Sequence, residues 1–265
     1  MEERVTESMI LRCEDSMDGI FTAIYDGFVY KNRIQKANGG KYNDTIAIEI
    51  GDNGNYALFT DIVDIKTDQQ KVKKIVETIK RKLGYGIYEL VFNALCHFSA
   101  DRATIVLGFL VRAFKIGQRI IEHMADKYVM EVFELSRKVS NEADKIRGFI
   151  RFSDNGSFLM AEFAPKCDMI PVIMWHFSDR YPGENFVIYD ENRQYAVVHP
   201  KYGDCFFISY DEYTRLENSI PDRIDGFEQL WRVYFENTDI KERLNPTCQR
   251  NLCPKWYRKN MLEFA

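Results

Sequence analysis

The spacing of apolar positions changes several times along this chain, and each change predicts a different element. Residues 9–13, MILRC, read as a short strand, and from Asp15 or Ser16 onward Ile20, Ile24 and Phe28 recur at helical spacing. Ile46, Ile48 and Ile50 alternate with other residues, GDNGN follows as a turn, and Tyr56 and Leu58 alternate back, which predicts a β-hairpin. Val72, Ile75, Val76, Ile79 and Leu83 share one helical face, lysines occupy the other, and Gly84 marks the stop. From about residue 86 to 146 the spacing stays helical with no proline to break it, so three or four consecutive helices are expected.

Beyond residue 146 the period becomes two. RGFIRFSDNGSFLMAEF predicts a second hairpin on an Asp-Asn-Gly turn. In that reading Arg147, Phe149 and Arg151 share one strand face, and Ile150 and Phe152 point the other way. A helix over about 168–180, capped by Asp168, and strands near 186–190, 194–199 and 204–209 complete the set. Helices grouped apart from hairpins predict an α+β fold, with antiparallel β-hairpins and sheet beside a cluster of helices. The chain, residues 1–265, reads as a single domain with a mainly helical sub-lobe over 1–146 and a hairpin-rich one over 147–265.

Composition narrows the classes. Hydrophobic residues make up 46% and aromatic residues 14%, ample for a globular core. No run approaches the ~18 uncharged apolar residues of a membrane span, and the opening MEERVTE lacks the apolar stretch of a signal peptide. A cytoplasmic protein without membrane contact is expected. Six scattered cysteines read as free thiols. A net charge of -4 and a pI near 5.7 give no global attraction to nucleic acid, so any such binding must rest on local patches.

Familiar catalytic signatures are missing: the chain has no phosphate loop ending in Gly-Lys-Ser/Thr, no nucleophile elbow and no His-Glu-x-x-His. Cys248 and Cys253 are too far apart for a zinc knuckle and lack a second Cys/His pair, so no metal and no cofactor are expected. Basic patches are the remaining chemistry. Arg112, Lys115 and Arg119 stack on one helical face, and His176 and Arg180 project together one turn apart. Arg147 and Arg151 flank Phe149, cations beside a ring that can neutralise phosphates and stack bases. The competing reading is that Glu162 pairs one of these arginines and the ring packs under a helix. NPTCQRNLCPKWYRKNM, residues 245–261, carries Arg250, Lys255, Arg258 and Lys259 with no acidic residue. Asn245 and Pro254 predict two short helical pieces there, anchored by Leu252, Trp256 and Tyr257, with the four cations outside as a cluster.

Four blocks carry a family resemblance: ILRCEDSMDGIFTAIYD, LSRKVSNEADKIRGFIRF, IPVIMWHFSDRYPGENFVIYD and LWRVYFENTDIKERLNPTCQRNLCPKWYRKNM. Together they span essentially the whole chain, and it resembles a bacterial domain of unknown biochemical function described as a DNA metabolism or repair protein. The resemblance implies company: the domain is encoded beside a radical-SAM protein described as a DNA modification or repair enzyme, or is fused to a uracil-DNA-glycosylase-like domain. It implies no catalytic set. Matching positions here are Arg112, Lys115, Arg137, Arg147, His176, Arg180, Asn245, Pro246, Pro254 and Tyr257. Relatives place methionine where this chain has Cys253, which counts further against a thiolate metal site. The expectation is a DNA-binding accessory protein of DNA repair or modification, taking single-stranded or damaged DNA and acting with a radical-SAM or glycosylase partner. The alternatives are a nuclease or base-modifying enzyme in its own right, or a protein-interaction adaptor.

Overall fold

Strand β1 (Met9–Cys13) is the middle of a three-stranded sheet, with β2 (Ile46–Ile50) on one side and β3 (Asp61–Asp64) on the other. Both pairings are parallel; Leu11 stands opposite Ile48 and Val63. Parallel neighbours need a crossover of roughly a dozen residues or more, and helix α1 (Met17–Ala37) supplies it between β1 and β2. This corrects the first hairpin. Ile46, Ile48 and Ile50 do form a strand with buried side chains, but its partner is β1. Tyr56 and Leu58 lie outside the described residues of this computed structural model, which are 9–37, 45–51, 60–218, 226–238, 241–243 and 245–264. The outer edge of β2 is met by Thr104, whose hydroxyl accepts from the Ile48 N–H at 2.8 Å and donates to the Ile48 carbonyl at 3.1 Å.

Four helices follow: α2 (Gln69–Leu83), α3 (Tyr85–Leu95), α4 (Arg102–Ile116) and α5 (Lys127–Phe149). The Asp68 carboxylate caps α2 by accepting from the Gln70 and Lys71 N–H groups, and Gly84 ends it at φ 90°. Ile75, Ile79 and Leu83 bury the expected stripe. Leu107, Phe109, Leu110 and Val111 are buried on several sides of α4, as in a helix enclosed by its neighbours. With Leu11, Ile24, Ile48 and Val91 they make the core of the first compact unit, Met1–Val139.

The second unit, Ser140–Ala265, is built on a five-stranded sheet in the order β4-β5-β6-β7-β8. Strands β4 (Ser153–Asp154) and β5 (Leu159–Phe163) form the hairpin expected from Asp-Asn-Gly. Asn155 Oδ1 accepts from the Ser157 and Phe158 N–H groups, and Gly156 takes φ 86°. Strand β6 (Phe186–Asp190) joins β5 in parallel through helix α6 (Ile170–Arg180); β7 (Tyr195–His199) and β8 (Phe206–Ser209) continue antiparallel. Every residue of β6 is buried. Tyr213 of α7 (Tyr210–Asn218) stacks on Tyr189 at 4.0 Å and donates its hydroxyl to Glu162 at 2.5 Å, so that carboxylate serves a tyrosine and not an arginine. Helices α8 (Gly226–Thr238) and α9 (Pro246–Leu252) lie in the C-terminal segment.

The fold is α+β, with parallel pairings in both sheets where antiparallel ones were expected. Two local readings also change. Residues 147–149 end α5 instead of starting a strand, because Val139, Ala143, Ile146 and Ile150 continue a helical stripe that outweighs three alternating residues. Asp168 accepts from the Tyr195 hydroxyl, and α6 starts with no side-chain cap. Among the described residues no helix is long and apolar enough to cross a membrane.

Candidate nucleic-acid interface

The basic C-terminal segment is a docked strap. Asn245 caps α9 by accepting from the Cys248 N–H at 2.9 Å, and a 3-10 turn follows Pro254, as the sequence predicts. Tyr257 packs against Phe149 at 5.7 Å, and burial, with Glu142 beside it, pushes its hydroxyl well above the ordinary tyrosine range. The Trp256 indole is half exposed but donates to the Ala164 carbonyl at 2.7 Å. Leu252, expected as an anchor, is 71% exposed, and Met261 takes the buried place. Cys253 Sγ lies 3.7 Å from Met261 Sδ.

This docking decides which cations face solvent. Lys259 pairs with Glu191, which also accepts from Asn260 at 2.6 Å; Arg258 donates to the Cys253 carbonyl at 3.0 Å and covers the Phe264 ring at 4.4 Å. Of the four cations Arg250, Lys255 and Lys259 stay exposed, Lys259 with its charge paired by Glu191, and Arg258 is half-buried. Arg151 donates to Glu263 at 2.6 Å, and Arg147 to Asp144 at 2.8 Å. Arg147 also reaches the Val172 carbonyl at 3.5 Å, while Phe149 meets Tyr257, so these three residues do not form an open strand face. In the first unit Arg112 pairs with Asp126 at 2.8 Å and lies over Tyr128 at 4.3 Å. Lys115 and Arg119 are exposed, but α4 ends at Ile116 and Gly117 takes φ 85°, so Arg119 sits on a separate 3-10 turn and leaves the expected stripe.

His176 and Arg180 keep the arrangement read from the sequence. Both are exposed, one turn apart on α6, which buries Ile170, Ile173 and Phe177 on the adjoining side. Trp175 joins them with 59% of its surface exposed. Beyond the helix the Tyr202 N–H donates to the Pro182 carbonyl at 2.7 Å, which brings the exposed Tyr202 ring and Lys201 to the same end of α6. Acidic residues are here too: Asp179 lies on α6, and the exposed Glu184 and Asp204 belong to the segments that follow the helix and carry Tyr202. Exposed on and beyond α6 are thus an indole at Trp175, an imidazole at His176, a guanidinium at Arg180 that lies 5.5 Å over the Tyr181 ring, and the Lys201–Tyr202 pair.

A family model described as a domain of unknown function, DUF4130, matches residues 100–263. The chain belongs to this family. No curated protein and no solved structure matches it. The DUF4130 span contains all of α6, the strap and every candidate cation, and it leaves β1 to α3 outside.

A feature of the DUF4130 span that sequence reasoning missed is α8. Phe227, Leu230, Trp231 and Tyr234 follow one helical face, each between 39% and 75% exposed, and with Arg151 and Phe152 they line a hollow of about 520 Å³. Its signal was present as apolar residues three and four apart. Trp175 was equally legible as the residue before His176, yet burial could not be read from its spacing.

Proposed function

We propose that this chain is a DNA-binding accessory protein of DNA repair or modification that takes single-stranded or damaged DNA and acts with a radical-SAM or glycosylase-type partner. Exposed groups of α6 support this reading: Trp175 offers an open ring for a base, His176 follows it, and Arg180 at the C-terminal end of the helix offers a cation for phosphate. Stacking platforms flanked by cations are how sequence-tolerant single-strand binders work. Lys201 and Tyr202 extend the same division of labour past the end of the helix. Unpaired bases can reach an exposed indole, whereas bases inside an intact duplex cannot, so single strands and damaged sites are the fitting ligands. The family resemblance supplies the DNA context and the partners.

The test is oligonucleotide binding across a salt series. Arg180→Ala should flatten the plot of log affinity against log salt by about 0.7 for a single strand, the value of one phosphate contact. An unchanged slope removes α6 from the interface.

A second reading, an adaptor for a partner protein, is favoured by the exposed apolar stripe of α8. Leu230→Asp should then abolish association with the partner and leave DNA affinity intact.

A further inference from the structure

A cleft of about 610 Å³ opens on the first unit where α3, the 3-10 turn at 118–122 and α5 meet. Tyr85 and Phe133 give it aromatic walls, and Glu89, Asn93, Gln118 and Ser136 bring four polar side chains to it. Among the described residues none of these four side chains has a hydrogen-bond partner, although Ser136 is only 8% exposed. Glu89 and Gln118 are exposed and Asn93 is half-buried, so these polar groups are open to solvent and to a ligand that displaces it. Gln118 is also positioned: a Cβ on Gly84, which sits at φ 90°, would stand 3.4 Å from its Nε2. The carboxamide therefore rests against the bend between α2 and α3.

Volume and lining match a small-molecule site, largely apolar with a few convergent polar groups. The lining decides the chemistry. Among the described residues it holds no lysine, arginine or histidine and one carboxylate, which disfavours an anion inside. Two carboxamides, each donor and acceptor, suit the edge of a planar heterocycle, a carboxylate suits an exocyclic amine, and aromatic rings suit its faces. Cations wait outside: Lys80 Nζ lies 5.8 Å from the Tyr85 ring and 4.1 Å from the Tyr88 ring, and the exposed Arg119 follows Gln118 in the chain.

We propose that this cleft is a nucleobase-binding site, which takes the base of a nucleotide with an amine toward Glu89 and leaves its phosphate outside near Lys80 and Arg119. The inference rests on the cleft alone and does not need the α6 face to bind DNA.

Calorimetric titration of the full chain with deoxycytidine, deoxyadenosine, thymidine and deoxyribose 5-phosphate tests it. The two amine-bearing nucleosides should bind saturably, thymidine more weakly, and the base-free sugar phosphate not at all. Asn93→Leu and Gln118→Leu should each weaken nucleoside binding about tenfold; Gln118 is exposed, so its variant keeps the fold even if the other does not. Lys80→Ala should weaken a nucleoside monophosphate and spare the nucleoside. Competition by an oligonucleotide with one bulged cytosine, but not by the same strand abasic at that position, assigns the base to DNA; no competition by either assigns it to free nucleotides. Absence of saturable binding by every nucleoside, or unchanged affinity in a folded Gln118→Leu, overturns the proposal. Loss of oligonucleotide binding in Arg180→Ala with nucleoside binding intact separates this site from α6.

Discussion

The guanidinium of Arg151 meets the carboxylate of Glu263 at 2.6 Å, with the arginine side chain 27% exposed and the glutamate 4%. The Trp231 indole donates to the other oxygen of the same carboxylate at 3.2 Å. The strap is thus closed by one enclosed ion pair, and removing the arginine leaves a buried charge without its counter-charge. Arg151→Ala should cost about 3 kcal/mol, read as a shift in the denaturant midpoint at constant slope. A loss within experimental error of zero would show that this ion pair contributes nothing to stability.

Acid should open the same strap. Burial alone would raise the Glu263 carboxyl, but the hydrogen bond and charge of Arg151, with the Trp231 N–H, hold it below its ordinary 4.5. Burial opposes Lys259 and Asn260 at Glu191 in the same way, and there too the carboxyl ends below 4.5. For a depressed carboxylate the stabilisation is complete above the unfolded value and disappears as pH falls through the folded one. Tryptophan fluorescence of Trp231 and Trp256 should therefore report undocking only below about pH 4.5. The double variant Glu191→Gln, Glu263→Gln should lose most of that pH dependence, and an identical acid profile would contradict the assignment.

Much of the second unit was legible. The Asp-Asn-Gly turn, the strands at 186–190, 195–199 and 206–209 and the Asn245 cap all depend on local chemistry, which a sequence displays directly. Strand direction was not. Alternation at Ile46, Ile48 and Ile50 records one buried face and says nothing of the neighbour, which is chosen by the crossover through α1. Among the site residues, His176 and Arg180 could be placed because helical spacing puts them together. The pairing of Arg151 with Glu263 or Lys259 with Glu191 spans 112 and 68 residues, a separation that no local pattern encodes.

Thr104 stands in for a neighbouring strand at the edge of β2. Thr104→Val keeps the shape and removes the hydroxyl, which leaves the Ile48 N–H without its partner; the expected cost is about 1–3 kcal/mol in thermal or chemical unfolding. A neutral substitution would mean that the edge is satisfied in another way.

The cations of the strap divide into two groups with opposite behaviour. Arg258→Ala with Lys259→Ala removes a ring contact and a half-exposed ion pair, so stability should fall by roughly 1 kcal/mol. Arg250→Ala with Lys255→Ala removes two exposed cations that have no partner among the described residues and should leave the unfolding midpoint unchanged. The reverse pattern would undo the description of the strap as a packing element.

Trp175 offers the most direct measurement of DNA binding at α6. With Trp231 and Trp256 replaced by phenylalanine, Trp175 is the one indole left among the three tryptophans of the chain. Titration with a short single strand at low salt should quench and shift its emission saturably, with a midpoint that moves to higher concentration as salt rises and as Arg180 is changed to alanine. Emission that stays constant while the same strand is bound, or a strand that does not bind at all, would contradict the proposed role of the α6 face.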